Sequence, residues 1–228
     1  MWLPVKLMKN ETAPSLISGF NKARDGFIEI FAKQNLSDKA ILELGCGDGE
    51  RTELFYEFSR VIGVDVVNRV SAERKNKFVF VLADATRLPF KEEIFDGVVS
   101  FDVIEHVEED KKFVDEAFRV CKQGGKLIIG TPNRSRLSNR LRTLIGRKVV
   151  YPYTLGPGVV HLREYTCGDF ISLILSAGFL GECKCVWFGI ISRFDLGFGR
   201  VPKFLNPFVQ YLLFLGDKPL KSEMSNPA

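Results

Sequence analysis

Short apolar runs alternate with longer amphipathic stretches through the first 130 residues. The runs at 40–44, 61–64, 78–83, 95–101 and 126–131 are rich in Val, Ile, Leu and Phe. Each is continuous rather than alternating, the pattern of strands buried on both faces of a parallel sheet. Helix-length segments lie between them, at 50–59 and 110–122. In the second of these Phe113, Ala117, Val120 and Cys121 make one stripe, and Gly124-Gly125 is expected to end the helix. An opening segment, 15–34, carries Leu16, Phe20, Phe27, Ile30 and Phe31 and is expected to pack on the sheet or lid a site. The alternation predicts an α/β, doubly wound, Rossmann-like fold with helices on both faces of a mostly parallel sheet.

The second half is less regular. Thr166-Cys167-Gly168-Asp169 has the form of a capping box before the apolar run Phe170, Ile171, Leu173, Ile174 and Leu175, and Gly178 is a natural stop. Two final strands are expected at 183–188 and 209–215, and an irregular loop at 152–158. No internal repeat or low-complexity tract occurs. The expected organisation over 1–228 is a single domain: an N-terminal helical lid (1–38), a core (40–131), an insertion on the substrate side (132–165), and a C-terminal helix with strands (166–228).

Composition narrows the class. With 46% hydrophobic and 26% charged residues among 228, the chain is globular rather than disordered or collagenous. Five cysteines, an odd number with no CxxC, read as reduced intracellular thiols rather than a disulfide framework or zinc site. The opening residues hold no uninterrupted apolar signal region. The apolar run 208–215 is far below the ~20 residues of a spanning helix. A cytoplasmic protein is therefore expected. The net charge of +4 excludes a histone-like polycation and leaves room for an anionic partner at one patch.

That charge is concentrated. Residues 134–148 hold five Arg, one Lys and no acid, so they carry +6 and the rest of the chain carries −2. Leu137, Leu141, Leu144 and Ile145 are spaced as a helical stripe, with Arg136 and Arg140 one turn apart on a neighbouring face. This is the pattern of a substrate-side cap that attracts a phosphate- or carboxylate-bearing acceptor or lies on an anionic membrane surface. A merely solvated cap helix is the plainer alternative.

The most informative segment runs Ile41-Leu-Glu43-Leu-Gly45-Cys46-Gly47-Asp-Gly49-Glu50. A strand leads into a glycine-rich turn and a helix, where backbone can approach a ligand closely and free N–H groups point at it. Asp65 ends the second strand about twenty residues after Gly45, where a carboxylate accepts both hydroxyls of a ribose. Asp84 follows the third strand, in reach of an adenine amino group. Glu43, Asp65 and Asp84 thus line one crevice at the strands' C-terminal ends. Acids around the turn repel a pyrophosphate and favour a cationic, phosphate-free nucleoside, which fits S-adenosyl-L-methionine.

The motifs together resemble the class I S-adenosylmethionine-dependent methyltransferases, in the group that includes the ubiquinone-pathway O-methyltransferases. ILELGCGDGE resembles the first motif, VIGVD the acidic end of the second strand, and ADATRLPF the third. FDGVVSFDVIEHV and CKQGGKLIIGTPN resemble the fourth- and fifth-strand motifs, and HLREYTCGDFISLILSAGF a late helix region. LLFLGDKP resembles the last strand. The resemblance implies a seven-stranded sheet with an antiparallel last strand. It also implies cofactor-binding roles for Gly45, Cys46 and Gly47 at the turn, for Asp65 with Val66, for Asp84 with Ala85, and for Ser100 and Phe101 ending the fourth strand.

An oxygen acceptor needs a base, and both histidines fall in these motifs: His106 in DVIEH and His161 in HLREYT. They are the candidate catalytic residues; packing roles are the alternative. Asp102, Glu105, His106 and His161 also resemble, with Asp in place of the first Glu, the ExxEH…H pattern of metal-dependent small-RNA 2′-O-methyltransferases. Three functions follow. The leading one is O-methylation of a small quinol-, lipid- or glycosyl-like acceptor, with peripheral membrane contact in view and no DNA partner. The others are RNA 2′-O-methylation and a non-catalytic cofactor-binding role. Phe188, Phe194, Phe198, Phe204 and Phe208 hint at an apolar acceptor and equally suit ordinary core.

Overall fold

A computed structural model describes residues 16–147, 149–156, 159–186 and 210–224. The chain runs α1 (Leu16–Leu36), β1 (Ala40–Leu44), α2 (Glu53–Tyr56), β2 (Arg60–Asp65), β3 (Val79–Leu82), β4 (Phe95–Phe101), α3 (Asp110–Val120) and β5 (Cys121–Pro132). It continues through α4 (Leu137–Leu144), β6 (Tyr153–Gly156), β7 (Val159–His161), α5 (Cys167–Ser176), β8 (Leu180–Val186), β9 (Tyr211–Asp217) and α6 (Lys221–Met224). Seven strands form one sheet in the order β3-β2-β1-β4-β5-β9-β8. All pairs from β3 to β5 are parallel, and β9 runs antiparallel to both β5 and β8. This is the mostly parallel, doubly wound arrangement with one antiparallel last strand that the pattern and the resemblance imply.

The run at 78–83 departs from the expectation, since β3 lies at the sheet edge with Val79 58% and Leu82 62% exposed; the other continuous apolar runs are explained by two cores, one on each face. Leu42, Val98, Ile129 and Phe214 join one cluster with Phe113 and Ala117 of α3 and Phe170 and Ile174 of α5. Their immediate neighbours Ile41, Val99, Ile128 and Leu213 join the other, with Ile28, Ala32 and Leu36 of α1 and Phe55 of α2. Successive side chains on a strand point to opposite faces, so burial of both leaves no polar position to alternate with.

Several local expectations shift. Within α1 the inward stripe is Ile28, Ala32 and Leu36, while Ile30 is 47% exposed. The i, i+4, i+8 row therefore carries the packing, and Ile30 falls off its face. The segment 50–59 is mostly turns around the four-residue α2. The helix α3 ends at Val120 rather than at Gly124-Gly125, because Cys121 already pairs with Phe95 in β5. The Thr166 hydroxyl does cap α5, accepting from the Asp169 N–H at 3.2 Å. The last two strands lie at 180–186 and 211–217, and the five phenylalanines from Phe188 to Phe208 lie outside the described residues. Among the described residues, Cys46, Cys121, Cys167 and Cys183 form no disulfide.

Candidate active site

The sheet order reverses between β1 and β4, and the crevice outside the carboxyl ends of the strands at such a switch point is where open α/β sheets hold ligands. Here it is a cavity of about 1520 Å³ lined by Glu43, Gly45, Cys46, Gly47, Asp65, Val66, Asp84, Ala85, Phe101 and His106, among others. Asp25 and Glu29 of α1 reach its wall, and the Asp25 carboxylate lies 3.6 Å from Arg51.

The turn after β1 is built for close approach. Gly45 and Cys46 donate to the Val64 carbonyl at 2.7 and 3.0 Å, tying the turn to β2. Gly45 has φ +74°, and a Cβ there would meet the Val103 side chain at 2.3 Å. Gly47 has φ +59°, and a Cβ there would meet nothing within 4 Å, so bare backbone faces open space. Asp65 is 8% exposed, and it accepts from the Gly47 N–H through Oδ2 and from the Val67 N–H through Oδ1, both at 2.9 Å. A carboxylate offers about four acceptor positions, so two stay available. Asp84 is exposed to the cavity, its Oδ1 accepting from the N–H and hydroxyl of Thr86.

Glu43 is buried and accepts from the Thr52 hydroxyl at 2.5 Å. Burial pushes its carboxyl up to about 7, against the pull of that hydrogen bond and of Arg51. Burial likewise pushes the Cys46 thiol up to about 12, so it is no nucleophile at neutral pH. Ser100 is buried, with its hydroxyl on the Leu44 carbonyl at 3.0 Å, and it does not line the cavity. Phe101 does line it, stacked on Phe55 with centroids 6.2 Å apart. Its carbonyl accepts from Arg51 at 3.1 Å.

The two histidines come together edge to face, with ring centroids 4.8 Å apart. His106 sits half-buried on the cavity wall, and His161 lies buried behind it. His106 Nδ1 is 2.6 Å from the Val160 carbonyl. A carbonyl only accepts, so Nδ1 carries the proton and Nε2 keeps its lone pair. Burial lowers the His106 pKa and favours that neutral ring. His161 Nδ1 is 3.0 Å from Glu164 Oε1, and since the carboxylate accepts, Nδ1–H is the donor there as well.

Glu164 was not among the residues singled out from the sequence. Its carboxylate also accepts from Tyr153 at 2.7 Å, Tyr151 at 2.8 Å, Arg136 at 2.5 Å and Asn139 at 3.3 Å. Burial alone would raise it, but the hydrogen bonds from His161 and Arg136, and the Arg136 charge, hold it down to about 2. Its sequence signal is thin, a Glu three residues after a His in HLRE. Arg136 is consequently the residue before α4 and part of this network, not a free charge on the helix face.

Glu105 stands beside the pair in the 3-10 turn Ile104–His106. Its side chain is fully buried, with Oε2 on the Thr131 hydroxyl at 2.8 Å and Oε1 lacking a hydrogen-bond partner. Burial, and then the Asp102 charge, raise it to about 8. One ligand-capable atom each from Glu105, His106 and His161 lie within 4.8 Å of one another. Asp102 does not join them; it pairs with Arg51 at 3.2 Å.

Residues 42–129 match the family described as a methyltransferase domain. A Mycobacterium tuberculosis protein described as a probable S-adenosylmethionine-dependent methyltransferase is 33% identical over 149 residues, 64% of this chain and 50% of that one. The mouse mitochondrial ubiquinone biosynthesis O-methyltransferase is 28% identical over 166 residues, 65% of this chain and 43% of the relative. The chain thus spans about half the length of such curated relatives. Among solved structures, the N-methyltransferase NodS from Bradyrhizobium japonicum, in complex with S-adenosyl-L-homocysteine, superposes with a TM-score of 0.59 over 88% of both chains. At 16% identity that likeness is one of fold.

Proposed function

We propose that this chain, a member of the class I S-adenosylmethionine-dependent methyltransferases, methylates an oxygen of a small-molecule acceptor, with His106 receiving the acceptor's proton. The observation that carries this reading is the His106 ring: it lines the cavity, its Nδ1–H is committed to Val160, and its Nε2 is left basic. Imidazole is the side chain best matched to proton transfer near neutral pH.

The cavity suits S-adenosylmethionine. Bare backbone at Gly47 faces the open space, and the acids Asp65 and Asp84 favour a cation over a pyrophosphate. Asp65, fixed through both oxygens, would take the ribose hydroxyls, and Asp84 with Ala85 would meet the adenine. When bound, the cofactor supplies a methyl group on a positively charged sulfur. What the chain contributes is orientation and a proton acceptor: Phe101 and the turn at Gly45 define one wall, and His106 defines the acceptor side. His161, locked by Glu164, backs the His106 ring and keeps its edge in place.

A second reading has one specific observation behind it. Glu105 Oε1 is orphaned in full burial, and one ligand-capable atom each of Glu105, His106 and His161 lie within 4.8 Å of one another. These three would hold a divalent cation, with Glu164 orienting His161 from behind as outer-shell carboxylates orient metal-bound histidines. Such a cation would polarise the acceptor oxygen, and the ribose 2′-oxygen of RNA becomes a candidate acceptor.

The deciding experiment is an acceptor screen with methyl-labelled cofactor across quinols, lipids, sugars and RNA. Wild-type protein, His106→Ala and His161→Ala are compared, with cofactor affinity measured separately. His106→Ala is expected to lose on the order of 10²–10⁴ in turnover while retaining the cofactor. Full turnover in both variants rules the reading out.

A further inference from the structure

The insertion between β5 and α5 carries most of its apolar helical stripe in the open. Every residue from Arg140 to Arg147 is exposed. Leu141 is 52% exposed, Leu144 81%, Ile145 71%, and Val150, a few residues on, 73%. These side chains stand out from the surface as a ridge rather than closing onto the core. Arg140 and Arg142 flank the ridge on α4, and Arg142 and Arg147 line one shallow pocket with Ile145 and Val150. From Arg134 to Arg163 the sequence contains no Asp or Glu. The arginine that does enter the interior, Arg136, holds Glu164 and so anchors the base of the insertion.

We propose that this face, Leu141, Leu144, Ile145 and Val150 with Arg140, Arg142 and Arg147 beside them, docks on the surface of an anionic bilayer. An apolar ridge inserts at the headgroup boundary while long arginine side chains reach lipid phosphates, which is how amphipathic helices lie in an interface. Other occupants fit less well. A second copy meeting this face through a two-fold axis sets arginine against arginine with no acid to offset it. RNA uses the arginines and leaves exposed Leu144 and Ile145 unexplained. No helix among the described residues is long and apolar enough to cross a membrane, so attachment is along the surface. The inference stands apart from the proposed reaction and does not depend on which oxygen is methylated. Its consequence for the site is positional: the β6–β7 hairpin and Arg136 connect this face to His161 through Glu164.

The test is co-sedimentation of the full chain with phosphatidylcholine vesicles and with vesicles carrying about one third phosphatidylglycerol. Two double variants are compared, Arg140→Gln with Arg142→Gln, and Leu144→Ser with Ile145→Ser. All four positions are exposed, so far-ultraviolet circular dichroism and Tm should match wild type. Wild-type protein is expected to sediment with the anionic vesicles, less so as salt rises, and to remain in the supernatant with neutral vesicles. Each arginine lost should weaken binding roughly fivefold, and the serine pair should weaken it at low salt as well. Equal binding to both vesicle types overturns the proposal, as does unaltered binding by both variants. So does displacement of the protein from vesicles by single-stranded RNA at equal phosphate concentration.

Discussion

Replacing Glu164 with Gln keeps the side chain's shape and removes its charge. In wild type, one fully buried carboxylate faces five donors: His161, Tyr151, Tyr153, Arg136 and Asn139. A glutamine offers one acceptor oxygen and turns an NH₂ toward groups that already donate, leaving Arg136 without its buried counter-charge. Two routes give the magnitude. Breaking a buried ion pair costs about 3–5 kcal/mol. A carboxyl lowered from 4.5 to about 2 contributes at most about 3 kcal/mol by linkage. We expect a loss of about 3 kcal/mol at pH 7. Because the folded pKa is depressed, the stabilisation is complete above the unfolded value and is lost as pH falls toward 2. Urea unfolding of wild type and Glu164→Gln, at pH 7, 5 and the lowest pH at which both fold, reads the gap directly. It should be constant from pH 7 to about 5 and shrink below. A gap under about 0.5 kcal/mol at pH 7, or one that does not change with pH, refutes the picture of Glu164 as an ionised hub.

Glu43 has the opposite sign. Its folded pKa is raised to about 7, so the folded state holds a proton that the unfolded chain releases, and stability should fall as pH rises from about 4.5 through 7; Glu43→Gln should flatten that slope in thermal melts. The two turn glycines separate folding from binding: Gly45→Ala, driving a Cβ into Val103, should lower Tm, and Gly47→Ala should cost only about 1–2 kcal/mol of backbone strain while weakening cofactor binding by calorimetry. If the Glu105–His106–His161 cluster holds a divalent ion, chelator treatment should abolish turnover and Glu105→Gln should abolish metal uptake, measured by elemental analysis of the purified protein.

The sheet was legible because burial on both faces writes itself as unbroken apolar runs, and the crevice because a glycine turn and two strand-end acids keep fixed spacings from Gly45 to Asp84. What escaped reading depends on contacts distant in sequence. Glu164 looks like a surface residue in HLREYT; its partners come from Arg136, Asn139, Tyr151 and Tyr153 as well as His161. The leucines of 137–145 have helical spacing whether they meet a core or solvent, since periodicity reports which residues share a face and not what covers it. Ser100 illustrates the same limit within a strand: its position beside Phe101 is readable, while its hydroxyl's turn toward Leu44 follows from β1 pairing with β4.

The 3-10 turn at Ile104–His106 joins these parts. Glu105's carbonyl accepts from Leu162 at 2.9 Å, its side chain accepts from Thr131 at the end of β5, and the next residue donates to Val160. The hairpin of the insertion is therefore fastened to the same short segment that carries the proposed base. A rigid-body shift of the insertion would move the Val160 carbonyl, and with it the hydrogen bond that fixes the His106 tautomer. Through Arg136 and Glu164 the same shift would reach the His161 ring that backs it. The bare Nε2 is thus a property of how the insertion is seated, and any ligand that engages the Arg140–Leu144 ridge acts on a segment joined to the proposed base through Arg136, Glu164 and the His161 ring.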